Sequence, residues 1–444
     1  MPRESATPAA IEKSAFVPDF EPFIAARPGE AAAVLASRRT AMERFVQLGV
    51  PHRRLENWRH TDLSPLTKNR FTLAAEPTAI DPVQLVPYSL SGARELVFVD
   101  GFFSAELSNP GKAQPGLLLG SYAECLPEDA LRWAVAPETA EALEALNGAY
   151  WQDGAFVDLA ADARVEAPIH LLFIATGADL PLAQFVRNRI TAGPGSRATI
   201  IETYASLGAG VHFTCPVGTV DVGANADLDH YRLGQENAAA FHLATSRVRL
   251  GRDARFKSLA FVAGGGLVRH DLLAELAGPS SEATLHGLYL AGGTRHIDHH
   301  LWVRHSAPHA ASRQIYKGIL AGRARAVFNG NVFVASEAAK TDAKQTNRNL
   351  LLSDAALVHS NPQLEIYAGD VRCTHGSTVG QLDEEALFYL RSRGLDEAQA
   401  KNLLTRAFAS DLFEDIRPAA LRDRLETLLY TWLSFEAGIA GTAP

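Results

Sequence analysis

Cys373 and His375 stand two residues apart in the run Asp370-Val371-Arg372-Cys373-Thr374-His375-Gly376-Ser377-Thr378-Val379-Gly380. If that segment is extended, both side chains leave the same face of one strand, because side chains alternate with a period of two. A thiolate and an imidazole side by side suit a borderline-soft metal such as zinc or iron. They are half of a four-coordinate set, so the remaining ligands must come from elsewhere. The same spacing is met more often by a partly buried cysteine beside a hydrogen-bonded histidine at a strand end. A Cys-His hydrolase fits poorly, since a nucleophile and its base converge from different elements, with a third group orienting the base.

A second concentration of ligand types is His296-Ile297-Asp298-His299-His300-Leu301-Trp302-Val303-Arg304-His305, with His309 beyond it. On a strand, His296, Asp298 and His300 share one face and His299 takes the other. That is not the spacing of a helical zinc pair, and surface histidines on a strand are the favoured reading. Gly264-Gly265-Gly266 reads as a flexible turn and leads into no Lys-Ser or Lys-Thr. No phosphate-binding loop of the G-x-x-x-x-G-K-[ST] type occurs, so any nucleotide hydrolysis must belong to another subunit.

The chain that has to position these groups is 444 residues long, with 47% hydrophobic residues. That length suffices for two or three domains with a sizeable core. A net charge of -8 argues against a general nucleic-acid binder. Cys125, Cys215 and Cys373 are odd in number and far apart, which points to a reducing compartment rather than a disulfide framework. Acid at Glu4 and no apolar run behind it argue against a secretory leader, and no long uninterrupted apolar stretch suggests a membrane span. The cytoplasm is the expected location.

Three textures follow one another along the chain. Residues 1–94 read as helical and irregular, with helix formers from Ala31 to Leu48 stopped by Gly49 and Pro51. The charged segment Arg53 to Leu63 carries Trp58, expected to staple this region to the next. Residues 95–380 offer short alternating strands separated by Gly, Asn or Asp, with a helical insertion near 127–150 that ends at Asn147-Gly148 and covers one end of the strands. So many strands exceed a typical sandwich, whereas a β-solenoid takes them without a wider core, although no strict repeat is visible. Residues 381–444 read as three short amphipathic helices, suited to capping a solenoid or presenting a face to a partner.

Several runs carry a family resemblance. Lys317-Gly318-Ile319-Leu320 through Val327-Phe328-Asn329-Gly330, then Lys340 to Ser353, then Pro362-Gln363-Leu364-Glu365-Ile366-Tyr367-Ala368, closely resemble the SufB/SufD family of iron-sulfur cluster assembly proteins. Asn57-Trp58-Arg59-His60-Thr61-Asp62-Leu63 also fits, and the run from Cys373 to Asp383 is similar to the SufD-type branch. SufB-like chains have Glu where Gly376 stands, and many carry clustered cysteines toward the amino terminus; this chain has neither feature.

The resemblance implies a mainly β fold, a right-handed parallel β-helix between amino- and carboxy-terminal helical domains. It implies a non-catalytic scaffold that pairs with a SufB-like subunit and a SufC-like ABC ATPase, the latter docking on the terminal helices, without nucleic acid or membrane. A homodimer is conceivable for the isolated chain. By matching position, His375 resembles a histidine at the shared subunit interface where a nascent iron-sulfur cluster is built, and Cys373 lies beside it. The cluster would be transient, with no permanently bound cofactor. Two other readings are a purely structural subunit without ligands and a free-standing β-helix enzyme such as a polysaccharide lyase.

Overall fold

The computed structural model of the protein describes residue 16 and residues 19–122, 140–177 and 180–435. Cys125 and positions 127–139 of the expected helical insertion lie outside the described residues.

The alternating strands wind into a parallel β-solenoid, each coil giving one strand to each of two sheets. One sheet runs through Ala155–Leu159, Arg187–Ala192, Val217–Val222, Phe241–Leu250, Leu267–Leu276, His296–His305, Arg325–Val334 and Leu357–Ile366. The other runs through Arg94–Val99, Ile169–Ala175, Arg197–Ser206, Asp227–Gln235, Arg255–Val262, Glu282–Ala291, Ala311–Leu320, Asp342–Leu351 and Arg372–Gly380. Inward residues of both sheets make one continuous apolar core, including Phe98, Phe173, Tyr204, Leu228, Phe256, Leu285 and Phe328. No strict repeat is visible in the sequence because the coils differ in length. Phe241 pairs with Leu267, Leu267 with His296, His296 with Arg325 and Arg325 with Leu357, so successive coils take 26, 29, 29 and 32 residues.

Glycine matters where two coils press together. Gly264-Gly265-Gly266 is a packed turn rather than a loose one. A Cβ at Gly264 would stand 2.2 Å from the Glu236 carbonyl oxygen, one at Gly266 2.3 Å from that of Ala238, and Gly265 has φ +87°.

The described helices flank the solenoid along its sides. Ala32–Leu48 ends at Gly49, whose φ is 70°, as the sequence pattern anticipates. The helix Ala142–Tyr150 runs through Asn147 and Gly148 instead of stopping there. Asn147 donates to the carbonyls of Val186 and Cys215, and Gly148 lets the helix approach Ala41, so both residues serve packing. Glu144 meanwhile pairs with Arg247, so this helix lies along the side of three successive coils, not over one end. Asp383 caps Glu384–Ser392, and Asp396 caps Glu397–Ser410 with Gln399 in a capping box. Leu412, Phe413, Ile416, Leu421, Leu425, Leu429 and Trp432 pack against Tyr231, Phe261, Leu288 and Ile319, so the carboxy-terminal helices cover the outside of the second sheet. No described helix is long and apolar enough to cross a membrane.

Candidate functional site at the open solenoid end

The two ends of the solenoid are finished differently. At the first, Phe102–Asn109 and Leu117–Ser121 turn antiparallel and close the sheets. At the other end, among the described residues, Arg372–Gly380 pairs only with Asp342–Leu351, and Leu357–Ile366 only with Arg325–Val334. Each terminal strand therefore leaves a full backbone edge unpaired, the arrangement that templates pairing with another chain. Exposed Leu357, Ile366, Tyr367 and Val379 lie on the same two strands or just beyond them.

Cys373 and His375 stand on that last strand. Its neighbour alternates strictly, with Ala343, Gln345, Asn347 and Asn349 buried between the more accessible Lys344, Thr346 and Arg348. In register above the buried set are Cys373, His375, Ser377 and Val379. These four share the inward parity of the solenoid, yet among the described residues no further coil covers them, and His375 is exposed and Cys373 half-buried. The shared face expected from the i, i+2 spacing is present.

The local chemistry separates the pair. The Cys373 sulfur joins a small cluster with Val332, Val334, Ala335 and Ala343. Burial pushes its thiol up, and a hydrogen bond from the Ala343 backbone only partly opposes this. A thiol raised in this way stays protonated unless a metal displaces its proton. No side-chain hydrogen bond engages the His375 ring among the described residues. Across the lumen, Ser377 Oγ donates to Ser360 Oγ at 2.7 Å, tying the last strand of one sheet to that of the other. The sequence pattern did not single out Ser377, Ser360 or Gln345. Their signal is the alternation of polar side chains through Gln345-Thr346-Asn347-Arg348-Asn349, unusual for the inside of a solenoid.

The second histidine group is organised otherwise. His296, Asp298 and His300 occupy the outward face and His299 the inward one, as the alternation anticipates. Asp298 is enclosed by the amino-terminal segment. Thr61 Oγ1 donates to its Oδ2 at 2.5 Å, Arg269 Nη1 lies 2.9 Å away and His300 Nε2 3.0 Å away. Burial alone would push its carboxyl up, but the charges of His300 and Arg269 and these hydrogen bonds hold it well below the usual range. Trp58 stacks on the Arg269 guanidinium at 3.7 Å, so it does staple the amino-terminal region to the solenoid. His60 stacks on His359 of the last coil at 3.9 Å. Here the carboxylate is ion-paired within the chain, and among the described residues no cluster of three or more His, Cys, Asp or Glu side chains is arranged to hold a metal ion.

Comparison with known proteins covers most of the chain. The family model for the SUF system FeS cluster assembly SufBD core domain matches residues 173–408, and that for the SufBD protein N-terminal region matches residues 25–171. The iron-sulfur cluster assembly protein SufD of Escherichia coli is 34% identical over 387 residues, covering 86% of this chain and 89% of its own. An iron-sulfur cluster assembly SufBD family protein of Synechocystis is 32% identical over 402 residues, covering 87% of this chain and 88% of its own. The chain belongs to the SufBD family of the SUF system and acts in iron-sulfur cluster assembly.

Proposed function

We propose that this chain is the SufD-type scaffold subunit of a cluster-assembly complex. Its open solenoid end docks a SufB-like chain, and the nascent cluster is built at their shared boundary. The observation that carries this reading is the terminal strand Arg372–Gly380, paired on one edge only and bearing Cys373 and His375 on its uncovered inward face. An incomplete soft and borderline ligand pair on a rigid strand becomes a full site when a partner strand brings its own thiolate or carboxylate. Iron and sulfide are cargo here, held during assembly and passed on. The chain itself performs no catalysis in this reading.

The carboxy-terminal helices are the proposed seat of a SufC-like ATPase. Glu384–Ser392 buries none of its residues, and Phe388, Tyr389 and Leu403 are exposed on adjacent helices. Such apolar side chains on an uncovered helical face suit a protein partner. ATP-driven movement of the docked helices would bias one arrangement of the subunits, coupling hydrolysis to opening of the shared site.

Anaerobic reconstitution of the co-expressed complex tests the ligand assignment. His375→Ala is expected to abolish or strongly reduce cluster formation while leaving the subunits associated. Cys373→Ala separates the two ligands, and unchanged cluster content in both variants would reduce this chain to a purely structural subunit.

A further inference from the structure

Resting on the reading of His375 as a ligand, a second residue can be assigned to its support. Gln345 is the register partner of His375, one rung below it on the same inward face, and is 1% exposed. Gln345 pairs in turn with Gln314 on the preceding rung and donates its Nε2 hydrogen to Gln314 Oε1 at 2.8 Å. The nitrogen and oxygen of an amide project to opposite sides of its carbonyl carbon. With the nitrogen engaged toward Gln314, Oε1 is turned away from the Gln314 rung.

That oxygen is buried and has no hydrogen-bond partner among the described residues, and the same is true of Gln314 Nε2 at the other end of the pair. The two side chains form a short amide ladder with an unmatched acceptor at its Gln345 end. A buried acceptor left unmatched is uncommon in a native protein and calls for a partner. Space for the amide is kept by Gly330 of the facing sheet, where a Cβ would stand 2.4 Å from Gln345 Nε2 and 2.9 Å from Oε1. On the next rung of the same face, the group with an N–H to offer is the exposed ring of His375, the register partner of Gln345.

We propose that Gln345 is a positioning residue for His375. Its amide oxygen accepts the N–H of the ring, fixes one tautomer and turns the lone pair of the other ring nitrogen outward to the subunit boundary. Ligand histidines are generally held this way by a carbonyl or carboxylate behind them. Gln345 touches neither iron nor sulfide and acts through His375.

Nitrogen-15 NMR of the full-length protein labelled at histidine tests this directly, with His375 resonances identified by their loss in His375→Ala. At mildly alkaline pH the wild-type ring is expected to hold a single tautomer. Gln345→Met should relax it to a mixture, and Gln345→Glu, which keeps an acceptor and lets Gln314 reverse its amide, should restore it. If Gln345→Met does not fold, Gln345→Asn withdraws the same amide by one methylene and should give the same relaxation. A tautomer unchanged in the folded variant overturns the inference, whatever the complex does. In the anaerobically reconstituted complex, Gln345→Met is expected to weaken iron retention about ten- to a hundredfold, with Gln345→Glu close to wild type. If the tautomer relaxes but His375→Ala still builds clusters, the positioning stands and the ligand reading fails.

Discussion

Lys317 Nζ lies 2.6 Å from Asp411 Oδ1 and 2.7 Å from the carbonyl oxygen of Phe408, which pins the end of the helix Glu397–Ser410 to the outside of the solenoid. The lysine is 4% exposed at its side chain and the aspartate 54%. Removing the carboxylate leaves a nearly buried ammonium held by one carbonyl. Breaking a fully buried pair costs about 3–5 kcal/mol, but water reaches Asp411, so Asp411→Asn is expected to cost about 1–2 kcal/mol. Hydrogen exchange is the measurement: amides of Glu397–Ser410 should exchange roughly tenfold faster, with the inner coils unaffected.

The buried ring of His299 makes stability sensitive to acid. Neither of its nitrogens has a hydrogen-bond partner, and it packs against Tyr289 and Tyr316. Burial, with smaller contributions from His300 and Arg232, holds its pKa down to about 4 against the opposing pull of Asp298. An unfolded chain binds the proton at about 6.5, so stability is fully present above that pH and is lost as pH falls toward 4. The slope from one such group is at most about 1.4 kcal/mol per pH unit. Urea titrations of His299→Phe should show a shallower decline across that window; an identical slope would contradict the assignment.

Glu202 sets a second, more acidic limit. Burial pushes its carboxyl up, but the hydrogen bond and charge of His230 and the charge of Arg232, 2.9 Å away, outweigh this and hold it down to about 2. Its contribution is present above about pH 4 and disappears as pH falls toward 2. Glu202→Gln should remove that part of the acid dependence. It should also lower stability at neutral pH by about 3 kcal/mol or more, because Arg232 and His230 stay buried without their anion.

The polar part of the core depends on two glycines. A Cβ at Gly318 would stand 2.2 Å from the Tyr289 ring and 2.5 Å from Asn349 Oδ1, and one at Gly287 2.2 Å from the Tyr316 ring. Asn347 donates to the Tyr289 hydroxyl at 3.0 Å, so that ring cannot withdraw without breaking the bond, and the Tyr316 ring packs against His299 and Phe328. Gly318→Ala and Gly287→Ala are each expected to cost at least about 1–3 kcal/mol, read as a lower denaturant midpoint.

The open edge can be blocked without touching the ligands. Arg372 N–H donates to the Thr341 carbonyl at 2.8 Å; in a parallel ladder alternate residues face opposite neighbours, so Val379 directs its N–H to the unpaired side. Val379→Pro removes that donor from an edge strand, where proline is tolerated. Co-purification of a SufB-like partner should fall at least tenfold while the melting temperature of the isolated chain stays within a few degrees. Retained pairing would mean that the partner does not extend this sheet.

Much of this was legible in the residues themselves. Alternation fixed which side chains share a face, so the grouping of Cys373 with His375 and of His296, Asp298 and His300 followed from a period of two. Gly49 marked a helix end because capping is local chemistry. Asn147-Gly148 misled for the same reason: both residues suit a helix stop, and only the packed carbonyls of Val186 and Cys215 and the nearby Ala41 show why the helix continues. The varying coil length hid the repeat, since a solenoid is defined by register between coils and not by a constant count along the chain.

What tertiary structure alone decided is the setting of each group. Local spacing cannot say that Arg372–Gly380 is the last rung, that the terminal helices lie on the side of the solenoid, or that Gln345 sits beneath His375. Those facts depend on which strands become neighbours, and neighbours thirty residues apart meet only when the whole coil closes. The sequence determined a paired thiol and imidazole on one face; the winding of the chain placed that face on the last rung, where no described residue adds a further strand.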